Sequence, residues 1–423
     1  MRKILNLIIL SILLIVSVVL FLDYRNKSDY IVKQRSYAQA FYNKKLYKDA
    51  IKEFGKLNKE DLSKEDVLMI ANSYLALEEF NTAINMSVVD FDLHKIPKQK
   101  KHKTQENILK ILDDKEMYKE YNKFFLKLDE DLKRKYMDMY LSDYVIYGES
   151  FDQIKYTVND YKEYIGKKDG FWYLITNKGK IKHSSKNEDI LGWKSPYLTV
   201  INQDNTLVID EKNDIRANFD GVEYFNFQDP YIVQKSTGGQ VYIDRSSIKK
   251  SKYYDKASNF IDNKALVIDG GVKLIDSNFK VINNIQGQDF KIDSKNNAIY
   301  DNKVIIKSNK YKIYDISKDK YSEEYDDIDF SYGQYIAVKN KNKWTYIDQD
   351  FKIVSDKGFD HAYSFSNDIA VIKENNKYRL INKNFKVIKE VGDELYPFNE
   401  EGISFIKKED KYYMIQLKRF INE

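Results

Sequence analysis

Cysteine is absent from the 423-residue chain. Disulfides, thiolate-held metals, a thiol nucleophile and a lipid-modified N-terminal cysteine are excluded with it, while nothing follows about redox compartment. Proline is scarce, four residues against 35 tyrosines, a balance that favours strands over flexible linkers. There is no glycine-rich phosphate loop: Ser236-Thr237-Gly238-Gly239-Gln240 reads as a hairpin turn between two strands, not a strand-to-helix turn. The four histidines (His94, His102, His183, His361) stand far apart, so no zinc-like spacing exists. Charge of one sign is lacking too. Seventy basic and 65 acidic residues leave a net +5, a statement about solubility rather than a nucleic-acid footprint. What remains is 43% hydrophobic, too much for disorder, in a chain long enough for two or three domains.

The one long apolar run opens the chain. Arg2 and Lys3 precede residues 4–22, interrupted only by Asn6, Ser11 and Ser17. At 1.5 Å per residue this run spans roughly 28 Å, the hydrocarbon thickness of a bilayer. The exit, Phe21-Leu22-Asp23-Tyr24-Arg25, has no small-x-small cleavage site, so residues 1–27 read as an uncleaved transmembrane signal anchor. Arg25, Lys27, Lys33 and Arg35 on the far side balance the inner charges, and the positive-inside count does not decide orientation. A short basic start before the only apolar span behaves as a signal, which places the body outside the cytoplasm.

Residues 28–163 carry a helical pattern. Tyr37, Phe41, Tyr47, Ala50 and Phe54 recur at helical steps, and Ile70, Tyr74, Phe80, Ala83 and Ile84 follow the same plan. The shift from Tyr47-x-x-Ala50 to Phe80-x-x-Ala83 is 33 residues. This pattern resembles tetratricopeptide repeats, with Ala38 and Ala71 at the small-residue position and Ala50 and Ala83 at the helix-packing alanine. Ser87 stands where the second unit would have its later aromatic, and neither unit has a closing proline. Helical character is expected to continue beyond, with Gly148 breaking two helices. The basic run Lys95, Lys98, Lys100, Lys101 and Lys103 reads as a solvated inter-helix loop, with docking to an acidic partner or anionic lipid as the functional alternative.

From residue 164 to 423 one word repeats. Anchor residues Ile175, Ile209, Ile243, Ile275, Tyr314, Ile347, Ile381 and Ile415 are separated by 34, 34, 32, 39, 33, 34 and 34 residues, giving eight copies. Phe227, Phe260, Phe330, Phe365 and Phe398 travel with the anchors. Aromatic-Asp pairs do likewise at Phe219-Asp220, Tyr254-Asp255, Tyr325-Asp326 and Phe359-Asp360, and Pro196 and Pro230 head matching segments. Alternating Ile, Val and Tyr, with turn residues in "KENNK" and "KNKNK", make each copy a set of short strands. Such units must bury their apolar faces against one another. A β-propeller of seven or eight small blades is the expected closure, an open β-solenoid the alternative.

The order of Lys343-Trp344, Gly179-Lys180-Ile181 and Ile369-Ala370-Val371 resembles the bacterial WG (KWG) repeats over about residues 163–423. At the motif's glycine stand Tyr173, Thr345, Arg379 or Tyr413. Its tryptophan survives at Trp172 and Trp344, replaced by Tyr311, Tyr378 and Tyr412 elsewhere. The resemblance implies a repeat scaffold, not an activity.

Chemistry is harder to place. Asp210, Asp244, Asp276, Asp315 and Asp348 end the anchor strands and could ring a toroid as a cation site. Their replacement by Thr176, Asn382 and Gln416 fits a turn-forming role better. His361 reads as an ordinary corner residue, and residues 323–329 as a solvated acidic corner. No catalytic, cofactor, metal or ligand residue is nominated, and no cofactor is expected. The expected protein is an α + β membrane-anchored, non-catalytic scaffold for protein partners or envelope polymers, held to the bilayer through residues 4–22 and not engaged with nucleic acid. A carbohydrate- or peptidoglycan-binding sensor is the alternative, and a propeller-type hydrolase the second.

Overall fold

The computed structural model describes residues 2–422 except 157–162, 183–186, 195–196, 203–204, 211, 213, 221–223, 229–230, 237, 245–249, 294–295, 330–332 and 393. The side chains of 2–11, 191–194, 197, 217, 219–220, 224–228 and 231–236 also lie outside the description. His183, Phe227, Phe330, Phe219-Asp220, Pro196 and Pro230 therefore fall outside it. The chain divides into two compact units, residues 1–136 with 422–423, and residues 137–421.

The first unit is helical. α1 (Arg2–Asn43) and α2 (Tyr47–Phe54) form one helical hairpin, and α3 (Lys64–Ala76) and α4 (Phe80–Asn85) a second. After a π-helical turn at Met86–Asp90 and α5 (Phe91–Leu93), α6 (Lys98–Asp114) and α7 (Tyr118–Phe125) make a third, followed by α8 (Glu130–Ser142). The three hairpins turn alike. Lys45, Glu78 and Glu116 take positive φ of 61°, 63° and 57°. The next amide then donates back five residues, Leu46 to Phe41, Glu79 to Tyr74 and Met117 to Leu112, at 2.8–3.0 Å. This is the Schellman solution for orphan helix carbonyls. Ala38, Ala50, Ala71 and Ala83 are each 0% exposed, so the alanines singled out by spacing sit where the helices pack. Ser63 and Asp66 cap α3 reciprocally, and Arg35 Nε donates to the fully buried Asp66 carboxylate at 2.7 Å.

One expectation changes here. The lysine run is not a loop, because Lys98 opens α6. Its charges are met locally by Asp131 for Lys98, Glu65 for Lys100 at 3.2 Å and Asp92 for Lys101 at 2.7 Å. Among the described residues no helix is long and apolar enough to cross a membrane. The run at 4–22 is described in its side chains only from residue 12, and from there to residue 22 its apolar residues are exposed along α1.

The second unit holds eight antiparallel sheets among its described residues, and all eight anchor residues fall on their strands. Sheets 1 to 7 follow in chain order, from Gln153–Lys155 with Glu163–Lys168 and Phe171–Thr176 in sheet 1 to the four strands between His361 and Gly392 in sheet 7. Sheet 8 pairs Ile403–Lys408 with Lys411–Leu417 and takes its third strand, Tyr144–Phe151, from the other end of the unit, with Tyr144 opposite Leu417 and Phe151 opposite Tyr412. This segment was expected to be helical, with Gly148 as a break and residue 163 as the boundary. Its partner lies too far along the chain for local periodicity to report, and tertiary pairing overrides propensity.

Sheet packs on sheet around the unit. Phe151, Tyr164, Ile175, Phe405 and Met414 join sheet 8 to sheet 1. Ile305, Ile313, Ile328 and Val338 join sheets 5 and 6, and Ala337, Tyr346, Phe365 and Ile372 join sheets 6 and 7. Leu380, Phe398 and Ile415 join sheets 7 and 8. The pairing of first strand with last gives the arrangement of a β-propeller and not of an open solenoid.

Candidate functional site

Most polar positions of the repeat hold the fold together. The acid ending each anchor strand folds its own turn. Asp210 accepts from the amides of Lys212 and Asp214, Asp276 from Asn278 and Lys280, and Asp348 from Asp350 and Lys352, at 2.8–3.0 Å. Asn382 and Thr176 make the same pair of bonds, as a turn residue should and a cation ligand need not. The third residue after it lies in the left-handed region, filled by Gly179 at φ 71° but by Phe279, Phe351 and Phe385 at 62°, 70° and 56°. Phe279 and Phe385 rest their rings on Tyr242 and Tyr346, each 5.6 Å between centroids, which offsets the backbone cost.

The corner aspartates have a second task. Several hairpins turn through two residues with positive φ, such as Asp169-Gly170, Lys341-Asn342 and Asn375-Asn376. Asp152, Asp326 and Asp360 accept from the first amide of these turns at 3.1, 2.8 and 2.8 Å. Each also pairs with the lysine that precedes the preceding repeat's aromatic: Lys310 with Asp326 at 2.8 Å and Lys343 with Asp360 at 2.7 Å. Lys411 with Asp152 repeats the bond across the closure, so the last repeat meets the first in the ordinary register.

A third bond links neighbouring sheets. Lys291, on the inner strand of sheet 5, stands 4.7 Å from the Tyr311 ring centroid, pairs with Asp327 and donates to the Ile328 carbonyl at 2.8 Å. Lys155 does the same over Trp172, at 4.7 Å, toward Asp189 and the Ile190 carbonyl. Lys307 and Lys167 lie across the strand from these rings and flank them at 5.5 and 5.7 Å. The acidic run at 323–329 is thus structural: Asp326 caps a turn, Asp327 receives Lys291, and Asp329 accepts from the Ser364 amide at 2.7 Å.

In sheets 7 and 8 this lysine is missing. The backbone positions equivalent to Lys291 are Tyr363 and Tyr396, whose amides donate to Val371 and Phe405 as that of Lys291 donates to Ile305. The cross-strand lysines remain, Lys373 at 5.2 Å from Tyr378 and Lys407 at 5.7 Å from Tyr412. His361 stands at the backbone place that Asp327 holds in sheet 6, edge-on to Trp344 at 5.0 Å and to Tyr363 at 4.7 Å. An open cleft of about 610 Å³ results, lined by Asp360, His361, Tyr363, Lys373, Asn376 and Tyr378. Burial holds the His361 imidazole below its ordinary pKa and pushes the Tyr363 and Tyr378 phenols upward. The hydrogen bond from Lys343 and that from the Asn375 amide hold Asp360 low. The cleft therefore offers neutral rings and hydroxyls, one free-standing ammonium and one carboxylate already engaged. A second cavity, beside Tyr300, Asp329 and Gln349, has about 30 Å³, room for a water or two.

Of the other histidines, His94 bonds the Asp90 and Lys59 carbonyls at 3.0 Å and His102 meets Asp129 at 2.7 Å, both structural. No group of three or more His, Cys, Asp or Glu side chains converges as a metal site among the described residues. Reading His361 as an ordinary corner residue missed the cleft. Its signal was present once repeats are aligned on their corners rather than their anchors: the position that reads Ser258, Lys291 and Asp329 in sheets 4 to 6 becomes tyrosine in two successive copies.

Residues 324–344, 344–378 and 379–412 match the WG containing repeat, and the cleft lies within this stretch. No curated protein matches. Among solved structures, Kluyveromyces lactis Hsv2 aligns at 10% identity and TM-score 0.37, over 65% of this chain and 98% of that one. KlHsv2 with loop 6CD replaced by a Gly-Ser linker aligns at 11% and 0.36, over 58% and 96%. Dihydro-heme d1 dehydrogenase NirN in complex with DHE aligns at 13% and 0.38, over 61% and 67%. Likeness at this level says nothing of what this chain binds.

Proposed function

We propose that this protein is a membrane-anchored, non-catalytic scaffold. A single span at residues 4–22 holds it in the bilayer, a tetratricopeptide-like helical unit follows, and the WG-repeat ring presents binding surfaces outside the cytoplasm to protein partners or envelope polymers. One observation carries the reading. The recurrent acids of the repeat are spent on backbone amides and on lysines of neighbouring copies, so their recurrence serves the ring and leaves its faces free to bind. The exposed apolar side chains of α1 between residues 12 and 22 support the anchor, since a water-facing helix seldom carries such a continuous surface.

The test is protease treatment of protoplasts carrying a C-terminal tag, with chemical cross-linking of the intact cells. Loss of the tag and cross-linked envelope species are expected. A tag that survives until the membrane is opened puts the body in the cytoplasm and overturns the envelope role. Release of the untreated protein into the soluble fraction overturns the anchor.

A further inference from the structure

We propose that the cleft formed by His361, Tyr363, Lys373 and Tyr378 binds an uncharged saccharide, a short stretch of a glycan chain. This deepens the scaffold reading by naming what one of its surfaces holds. In sheets 1 and 5 a lysine, Lys155 or Lys291, fills the equivalent place, and in this cleft none does. Where Lys291 covers Tyr311 and reaches Asp327 of the next sheet, its equivalent here is Tyr363, which has no charge to offer Glu394 at the matching place in sheet 8. The Tyr378 ring is half-buried, with Lys373 on one side of it. A volume of about 610 Å³ is in the range of small-ligand sites.

The chemistry selects among ligands. Two phenols, an imidazole and the Asn376 amide each both give and take hydrogen bonds, as ligand hydroxyls do. An extended proline-rich peptide would use only half of that capacity, since its carbonyls accept and its prolines cannot donate. Phosphate-bearing ligands would meet Lys373 alone, because the Lys343 charge is already paired with Asp360. Rings of Tyr363 and Tyr378 supply flat apolar faces for the carbon-bound hydrogens of a pyranose.

Trp344 touches His361 edge-on and places a fluorophore beside the site. The full chain in detergent is titrated with chitotetraose, cellotetraose and maltotetraose, following tryptophan emission and isothermal heat. At least one is expected to bind, with affinity lowered about tenfold or more by Tyr378→Ala, the loss of one stacking face, and largely kept by Tyr378→Phe. Lys291→Met, at the filled equivalent site, leaves binding unchanged. Unchanged circular dichroism and tryptophan emission in the free variants excludes misfolding as the cause, and Lys373→Met, which leaves the rings in place, serves if Tyr378→Ala does not fold. Binding by none of the three sugars overturns the proposal. So does binding insensitive to Tyr378→Ala, or a proline-rich decapeptide that binds with this variant dependence while the sugars do not. Cross-linking to envelope partners that persists in Tyr378→Ala leaves the scaffold standing on its own, so the two ideas fail separately.

Discussion

Ring closure rests on one ring of carbon. Phe151 ends the strand borrowed by sheet 8 and is 0% exposed, packed with Tyr164, Ile175 and Phe405. Opposite it, Gly166 in sheet 1 has no side chain. A Cβ there would meet Phe151 Cδ1 at 2.8 Å and also the tip of Ile175. Phe151→Ala should cost about 3–5 kcal/mol through lost burial and a cavity. Gly166→Ala should cost about 1–3 kcal/mol through overpacking. Combined, the new methyl enters the space the ring has left and Ile175 can swing toward it. The double variant should then be less destabilised than the sum of the singles by about 1–2 kcal/mol. Tryptophan emission in urea reads this cleanly, because all three tryptophans of the chain, Trp172, Trp193 and Trp344, lie in the repeat unit. Additivity within about 0.5 kcal/mol would mean that the ring and the glycine do not meet, and the closure as described would be wrong.

Further outcomes are expected elsewhere. Tyr346→Phe removes a hydroxyl that donates to the Tyr363 carbonyl at 3.0 Å from a fully buried ring, and should lower the stability of the repeat unit by about 1 kcal/mol in the same urea assay. Arg35→Met leaves Asp66 buried with only its cap and Gln39, and should destabilise the helical unit by about 3 kcal/mol, read as a lower far-UV melting transition with tryptophan emission unchanged at that temperature. Lys252 and Lys273 hold Asp269 at a pKa of about 2, below its ordinary 3.8. The carboxylate is the form the fold favours, so its contribution is complete above about pH 4 and fades as pH falls toward 2. Asp269→Asn should flatten the acid limb of the stability curve in that window and nowhere else, as followed by urea midpoints at stepped pH.

The sequence announced the repeats because burial in a sheet imposes a period that survives divergence. Ile175, Ile209, Ile243, Ile275, Ile347, Ile381 and Ile415 keep one chemistry, and the turns after Ile175, Ile209, Ile275, Ile347 and Ile381 keep a side-chain acceptor even where Asp becomes Asn or Thr. The alanines of the helical hairpins were legible for a related reason, since only a small residue lets two helices approach there. Residues 144–151 were not legible, because what makes them a strand is Lys411–Leu417, and pairing between chain ends leaves no local trace. The first turns of α6 were misread since six positions in 95–103 are lysine or histidine, and the carboxylates that make such a helix tolerable lie on other elements.

The cleft was hidden by the very regularity that exposed the fold. A repeat aligned on its most constant residue draws attention to what every copy shares, and what every copy shares here is structural. In sheets 1 and 5 the lysine at this position, Lys155 or Lys291, covers an aromatic ring and ties the next sheet, whereas Ser258 and Asp329 stand there in sheets 4 and 6. Replacing that lysine by tyrosine gives up an ion pair worth about 0–1 kcal/mol at such partly exposed sites. The sheets stay joined through apolar contacts that are far larger, among them Ala337, Tyr346, Phe365 and Ile372 between sheets 6 and 7. The ring can therefore lose the tie in one sector at little cost, and the sector that loses it gains an open aromatic surface. That asymmetry between small electrostatic ties and a large apolar seam is what allows one part of a repetitive ring to diverge toward binding while the rest keeps it closed.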